Sequence, residues 1–401
     1  MKGFKLEYSY KIKESDKFAN VKDVLKSYFL VSSRLLTKLK NSNFIYLNKK
    51  NASLSDAVEK GDIVSFFVDF DEDSSNILPV KMDLDIVFED GSFLIVNKPP
   101  FMAVHPTAYH FSDTLSNGVK FYFDSINLHK KIRIVNRLDR NTSGLVIFAK
   151  NEYAQEFLIR QMKSFKINDI EGNDLFQNNL NADIKNRFEK RYLGIVQGSF
   201  KDLSDISQRN LNGIVNLHFS KIDNANVFIK SLCCEKNVLT GTIDLPIARK
   251  DGSIIERCVS PDGERAITHF RVLKEFNGCS INNENVGILK DCNYADIGDE
   301  DGTKINKFSS DTTQSQNIHI SLVEFSLETG RTHQIRVHSS SCGHPLLGDD
   351  LYGGDRALIN RQALHCYYLG FIHPETREFV SFTAPLPEDF KNVLKKLPNY
   401  S

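Results

Sequence analysis

Apolar and polar residues alternate with period two over Phe4–Ile12, the spacing of a strand with one covered face. Val21, Val24, Leu25 and Tyr28 then fall at i, i+3, i+4 and i+7 and predict one face of a helix. Ser32 or Ser33 is placed to cap a second helix, whose apolar side is Leu35, Leu36 and Leu39. Strand-like runs follow at Phe44–Asn48 and, after a Gly61-Asp62 turn, at Ile63–Val68. Asp85–Pro99 reads as two strands around an Asp-Gly turn, a signal repeated at Ala248–Cys258, and Phe371–Pro385 reads as a further strand pair. Helical spacing is confined to Asp113–Tyr122, Asn151–Phe165 with Asn151 as its cap, and Arg331–Ser341. Many strands, few helices and no βαβ rhythm predict an α+β chain with a mainly antiparallel sheet.

The chain has 401 residues, enough for two or three domains. No apolar run approaches the ~20 residues that span a bilayer, and the charged, aromatic N-terminus is unlike a secretion signal, so a cytoplasmic protein is expected. Seven cysteines without regular spacing predict thiols and not a disulfide framework or a zinc site. Lys+Arg and Asp+Glu balance at 51 each, which taken whole argues against a polyanionic partner. Taken locally it does not. Residues 20–50 hold seven basic residues and one acid, whereas residues 69–90 hold eight acids and one lysine. The pattern divides the chain into a module over 1–70, an acidic linker over 71–84 and a larger domain over 85–392. Two surface insertions are expected in that domain, near 167–186 and 280–317, the second acidic over 280–311.

Two short helices, a hairpin containing Asn48-Lys49-Lys50, and a late Gly-Asp turn before a strand resemble the S4 RNA-binding domain over residues ~18–70. The resemblance implies RNA binding by this small α/β module, with Lys22, Arg34 and Lys38 as candidate contacts. A solvated basic helix pair without a ligand is the alternative.

The densest chemistry lies in Arg133–Lys150, where Asp139 sits between Arg137 and Arg140, just before Thr142-Ser143-Gly144. Lys130–Arg140 holds five basic residues around this one carboxylate. An acid alone in a basic cleft suits nucleophilic attack on a polyanion's sugar or base. By spacing alone, an ion pair pinning a turn is the favoured reading. The segment R-L-D-x-x-T-S-G-L resembles the catalytic motif of the RNA pseudouridine synthases, in the branch named for ribosomal large-subunit uridine modification. Further segments resemble that family in order: Phe93–Thr107, Lys190–Gly198, Gly263–Leu273, Leu327–Gly353 and Ala363–Pro374. The likeness spans about residues 84–390. It implies that Asp139 is the nucleophile, that Tyr192 abstracts a proton or stacks on the base, and that Arg336 pairs with Asp139. It also implies that Arg137, Arg140, Arg331 and His333 hold RNA or shape the loop. Asn136 departs from the family, which commonly has His there.

A small S4-like module followed by a mainly antiparallel mixed-sheet catalytic domain is therefore expected. Its expected work is uridine isomerisation in RNA without cofactor or metal, with large-subunit ribosomal RNA favoured and tRNA the alternative. A monomer without membrane association is expected. The rival readings are a non-catalytic RNA-binding or ribosome-assembly protein that keeps the fold, and a metal hydrolase. His333 and His338, five apart, and Cys342, His344, His365 and Cys366 lack regular ligand spacing. No Walker-type or dinucleotide-binding glycine loop is present, and Ser143 lacks a G-x-S-x-G elbow.

Overall fold

The computed structural model describes residues 6–164 apart from 71, 73, 74, 76 and 108, together with 188–199, 215–218, 228–235, 238–280 and 317–398. The first four strands are β1 (Glu7–Lys11), β2 (Ile45–Leu47), β3 (Lys50–Asn51) and β4 (Ile63–Phe67), in the order β1-β4-β2-β3. All pairs are antiparallel. Helix α1 (Val21–Asp23) continues as a π-helical turn over Val24–Tyr28, and α2 covers Ser33–Asn41. Their starts follow capping chemistry: Asn20 Oδ1 accepts from the Asp23 amide at 3.0 Å, and Ser32 Oγ from that of Leu35 at 3.1 Å. Leu35, Leu36 and Leu39 are buried as the helical spacing predicts.

This module does not close its core alone. Tyr8, Phe29 and Phe66 pack in one cluster with Tyr153, Phe157 and Ile372 from the larger domain. Tyr8 and Tyr153 meet edge-on at 4.4 Å, and the Tyr153 hydroxyl donates to the Phe29 carbonyl at 3.0 Å. The Asn151 amide donates to the Tyr8 hydroxyl at 2.9 Å. The N-terminal unit is thus seated on the larger domain by shared apolar burial and not hung from a tether.

The larger domain is built on a sheet of twelve strands among the described residues. In chain order they are β5 (Ile86–Glu89), β6 (Phe93–Lys98), β7 (Arg133–Ile134), β8 (Ser143–Ala149), β9 (Glu189–Gln197), β10 (Val215–His218), β11 (Phe228–Glu235) and β12 (Val238–Asp244). A separate hairpin pairs β13 (Ile247–Arg249) with β14 (Arg257–Val259). The sheet resumes with β15 (Ile267–Ser280), β16 (Asn317–Leu327), β17 (Leu364–Ile372) and β18 (Phe379–Thr383). Its path runs β10-β11-β12-β15-β16-β9-β17-β8-β6-β5, with β7 on β8 and β18 on β17. Only the β17–β8 pairing is parallel among the described strands. Helices α3 (Leu115–Ser125), α4 (Glu152–Ser164), α5 (Gln334–Ser341) and α6 (Glu388–Lys396) complete the domain. Asn151 caps α4 as expected, its Oδ1 accepting from Ala154 N at 2.8 Å.

The parallel seam depends on one glycine. Gly144 has φ +117°, and a Cβ there would lie 2.2 Å from the Cys366 carbonyl oxygen. Without a side chain, β8 approaches β17, whose other neighbour is β9, where Tyr192 pairs with Cys366. The described helices include none long and apolar enough to cross a membrane. The two expected insertions lie outside the described residues, except for the terminal pair Ser280 and Asn317, where β15 and β16 still oppose each other.

The acidic segment is not a passive spacer. Glu72 receives Nη1 of Arg133 at 2.7 Å and the amide of Lys131 at 3.1 Å, and Asp69 pairs with Lys130 at 3.1 Å. The Glu72 and Arg133 side chains are only 7% and 10% exposed. Burial alone would raise the Glu72 pKa, but the bonds from Arg133 and Lys131 outweigh it and hold it below the usual value. The basic run Lys130–Arg140 is therefore split. Lys130 and Arg133 are neutralised by the preceding acids, whereas Arg137 and Arg140, on either side of Asp139, meet no carboxylate at salt-bridge distance among the described residues.

Candidate active site

A cleft of about 480 Å³ opens where the Asp139 turn, β9 and the N-terminus of α5 converge. Asp139, Tyr192, Arg336, Arg137, Arg140, Arg331 and His333 all line it. Seven positions spread over two hundred residues of sequence are thus brought to one wall. Lys22, Arg34 and Lys38 lie elsewhere, on the N-terminal module.

The turn that carries Asp139 is fastened from beneath. The Thr142 amide donates to the Asp139 carbonyl at 3.0 Å, and fully buried Arg361 donates Nη1 to the Asn141 carbonyl at 3.0 Å while its Nε pairs with Asp389 at 2.6 Å. Lys98, with no exposed surface, donates Nζ to the carbonyls of Pro99, Met102 and Arg140 at 2.8, 2.8 and 2.9 Å. Burial pushes its pKa down to about 7, with Arg361 adding to the effect and Asp139 opposing it. Three converging carbonyl acceptors nonetheless favour the ammonium form. Lys98 thereby ties the loop after β6 to the Asp139 turn.

Asn136 also has a clear place. Its amide donates to the Leu145 carbonyl at 3.0 Å, and its Oδ1 accepts from the Ile147 amide at 2.8 Å. The buried side chain bridges two backbone groups of β8 and makes no demand on imidazole chemistry. The departure from His is met by a local backbone latch.

Arg336 projects from α5 with 8% of its side chain exposed. Its Nε and Nη2 both bond Asp349 at 2.7 Å, and the free Nη1 lies 3.6 Å from Asp139. Burial opposes the guanidinium charge, yet the Asp349 bonds hold its pKa above the ordinary value. Tyr352 lies against the guanidinium, ring centroid to Cζ 4.9 Å, and its hydroxyl meets His333 Nδ1 at 2.8 Å. Asp349 and Tyr352 were visible in sequence only as letters of the Leu327–Gly353 segment. Their role as clamps follows from chain folding, which brings residues past α5 back against it.

Gln334 explains why the start of α5 holds its shape. Its Oε1 accepts from Thr329 Oγ1 at 2.8 Å and the Arg331 amide at 2.9 Å, while its Nε2 donates to the Ile267 carbonyl at 2.9 Å and Thr268 Oγ1 at 3.0 Å. His333, at φ 59°, adopts the left-handed conformation that this tight entry requires. Burial lowers the His333 pKa despite the nearby carboxylate of Asp139. Arg331 is held by Glu264 and by the Arg265 carbonyl at 3.1 Å, so its charge is already partnered within the loop.

Tyr192 is 6% exposed and sits on β9 between Phe325 and Cys366. Burial, then Cys366 and Asp139, push its phenol well above the usual pKa. Lys190, two residues back on the same strand face, lines the same cleft. On the module, Lys22 is exposed and Arg34 has 87% of its side chain in solvent, 3.7 Å from Glu152. Lys38 differs: its ammonium bonds Glu152 at 2.8 Å and lies 3.9 Å above Phe70. No group of three or more potential metal-ligating side chains converges among the described residues. His365 instead meets Ser143 at 3.0 Å, and His344 the Gln197 carbonyl at 3.0 Å.

Comparison with known proteins adds independent support. The family model described as RNA pseudouridylate synthase matches residues 92–170 and 172–341. The chain is 30% identical over 366 residues to the uncharacterized RNA pseudouridine synthase YjbO of Bacillus subtilis, covering 91% of this chain and 95% of that protein. It is 28% identical over 389 residues to the ribosomal large subunit pseudouridine synthase D of Buchnera aphidicola, covering 92% and 91% respectively. The matched segments contain the Asp139 turn, β9 and α5, which together build the cleft. The chain belongs to the RNA pseudouridylate synthase family and is an isomerase of uridine in RNA.

Proposed function

We propose that this chain converts uridine to pseudouridine with Asp139 as nucleophile, in ribosomal RNA of the large subunit, with tRNA as the alternative substrate. The observation that carries the chemistry is the Asp139 carboxylate, 27% exposed in the cleft and 3.6 Å from an Arg336 already clamped by Asp349. The clamp leaves one N–H edge of Arg336 to orient the carboxylate without burying it in a tight pair. The ribosomal preference rests on relatives named ribosomal large subunit pseudouridine synthase D.

The uridine must leave its stack, which costs a few kcal/mol, before its C1′ reaches Asp139. The carboxylate attacks C1′ and the C1′–N1 bond breaks, its electron pair leaving with the uracil. The base turns, C5 bonds C1′ as the carboxylate departs, and the C5 proton is lost while N1 gains one. Atoms and charge balance without a redox partner or phosphate. Because its phenol is pushed up, Tyr192 favours a protonated, stacking role beneath the base over proton abstraction. Arg137 and Arg140, exposed at the cleft mouth, hold phosphate, and Arg331 and His333 shape the rim. The 1–70 unit adds basic surface through Lys22 and Arg34, with Lys38 seating the module on α4.

Asp139→Asn and Asp139→Ala test the assignment. Both are expected to retain RNA binding and to form no pseudouridine when total RNA from cells expressing each variant is mapped against wild type. Isomerisation that continues in Asp139→Asn removes the nucleophile from the scheme.

A further inference from the structure

Three aromatic rings stand in solvent on two loops beside the cleft. Tyr109 is 95% exposed, Phe111 65% and Phe101 43%. Exposed large apolar groups cost solvation, and single ones need no explanation, but these three flank Ala103, Thr107 and His110, which line the cleft. Backbone and side-chain bonds tie the residues beside the rings. The Thr107 amide donates to the His110 carbonyl at 2.9 Å, His110 Nδ1 meets Asp113 at 2.8 Å, and buried Asn117 donates to the Phe111 carbonyl at 3.2 Å. Phe101 is held at φ 63°, a conformation that favours glycine, on the turn that Lys98 ties to the Arg140 carbonyl.

The loops that carry the rings reach the site. Thr107 and His110 line the cleft together with Arg137 and Arg140. Both arginines are exposed, with no carboxylate at salt-bridge distance among the described residues. Arg140 lies between the two loops: its carbonyl is bonded by Lys98, and its charge lowers the pKa of Asp113, chiefly set by the His110 bond. Exposed rings on loops that share a cleft with exposed guanidinium groups match unpaired nucleotides, whose bases offer π-faces and whose backbone offers phosphates. A duplex hides those faces in its own stack.

We propose that Phe101, Tyr109 and Phe111 form a stacking rim for unpaired nucleotides flanking the target uridine, so that the enzyme takes its uridine from single-stranded or loop RNA. This rests on the RNA-modifying reading above and specifies the form of RNA that the site accepts. The strained Phe101 is kept for its ring, because glycine would suit the backbone better.

The test uses the full chain and two probes: a short single-stranded RNA of mixed sequence carrying 2-aminopurine beside a central uridine, and the blunt duplex of the same sequence. Wild type is expected to bind the single strand more tightly and to quench the 2-aminopurine. Tyr109→Ala and Phe111→Ala are each expected to weaken single-strand binding about five- to a hundredfold and to reduce the quench, with duplex binding unchanged. Phe101→Gly is expected to weaken the same binding while raising the thermal midpoint, a combination that a packing role would not produce. Unchanged single-strand affinity, an equal loss on both probes, or a wild type that does not prefer the single strand overturns the rim. Dispensable rings leave the Asp139 chemistry standing, and isomerisation that persists in Asp139→Asn leaves the binding result standing.

Discussion

Asp349→Asn is the sharpest perturbation of the Asp139–Arg336 pair. Asp349 is 1% exposed and receives both Nε and Nη2 of Arg336 at 2.7 Å. Asparagine keeps the volume but replaces one acceptor with a donor that faces a guanidinium N–H. Removing one partner of a buried ion pair costs about 3–5 kcal/mol, because the other charge is left uncompensated. At about 2 °C per kcal/mol for a domain of this size, the thermal midpoint should fall roughly 6–10 °C. Among the described residues the freed guanidinium then has one carboxylate left within 4 Å, Asp139 at 3.6 Å, and should close on it. A tighter pair blankets the oxygen proposed to attack, so single-turnover isomerisation should slow about tenfold or more, each tenfold being ~1.4 kcal/mol of barrier. Tritium released from RNA labelled at uridine C5 measures that step, and a melting curve measures stability. The double substitution of Arg336→Met with Asp349→Leu separates the effects: it should recover the midpoint, since a buried pair exchanged for apolar groups is often neutral, and should stay inactive. An Asp349→Asn enzyme with wild-type turnover and midpoint would refute the clamp.

Three further outcomes are expected. Gly144→Ala places a Cβ 2.2 Å from the Cys366 carbonyl at φ +117°, so it should abolish folding or lower the midpoint by far more than a surface change, measured by circular dichroism. Buried His338 and His365 have their pKa values pushed down to about 4 by loss of solvation. The unfolded chain therefore binds more protons between about 6.5 and 4, and stability present above that window is lost as pH falls through it, up to roughly 3 kcal/mol for each imidazole. Denaturant titrations from neutral to acid pH should show the loss, and His338→Gln should flatten it. Last, Lys22→Ala with Arg34→Ala should weaken RNA binding and reduce its salt dependence, whereas Lys38→Ala should chiefly lower thermal stability by loosening the contact with Glu152. Equal loss of RNA affinity in both would return Lys38 to the binding surface.

That last contrast bears on the module as a whole. Deleting residues 1–70 would expose Tyr153, Phe157 and Ile372, which complete a core with Tyr8, Phe29 and Phe66. Point substitutions on its basic surface therefore probe RNA binding more cleanly than truncation does. Arg377 reinforces the junction, its guanidinium 4.2 Å from the Phe157 ring and 5.0 Å from that of Tyr28.

The sequence by itself determined much of the local order. Capping side chains at Asn151 and Ser32, helical spacing at Leu35–Leu39 and the Asp-Gly hairpins are nearest-neighbour effects, legible without tertiary context. The ordered motifs likewise placed Asp139, Tyr192 and Arg336 in a single candidate site, and all three line one cleft. What the tertiary structure alone decided are the partnerships. Charge counted along the chain could not show that Glu72 and Asp69 neutralise Arg133 and Lys130, nor that Glu152 takes Lys38. It could not show that Asp349 claims two of the Arg336 donors, leaving one edge for Asp139. Hydrogen bonds and ion pairs act over a few ångströms of space, whereas sequence reports only distance along the chain. Gly144 makes the conversion: by letting β8 lie against β17, it brings an acid from one turn and a tyrosine from another strand to the same wall.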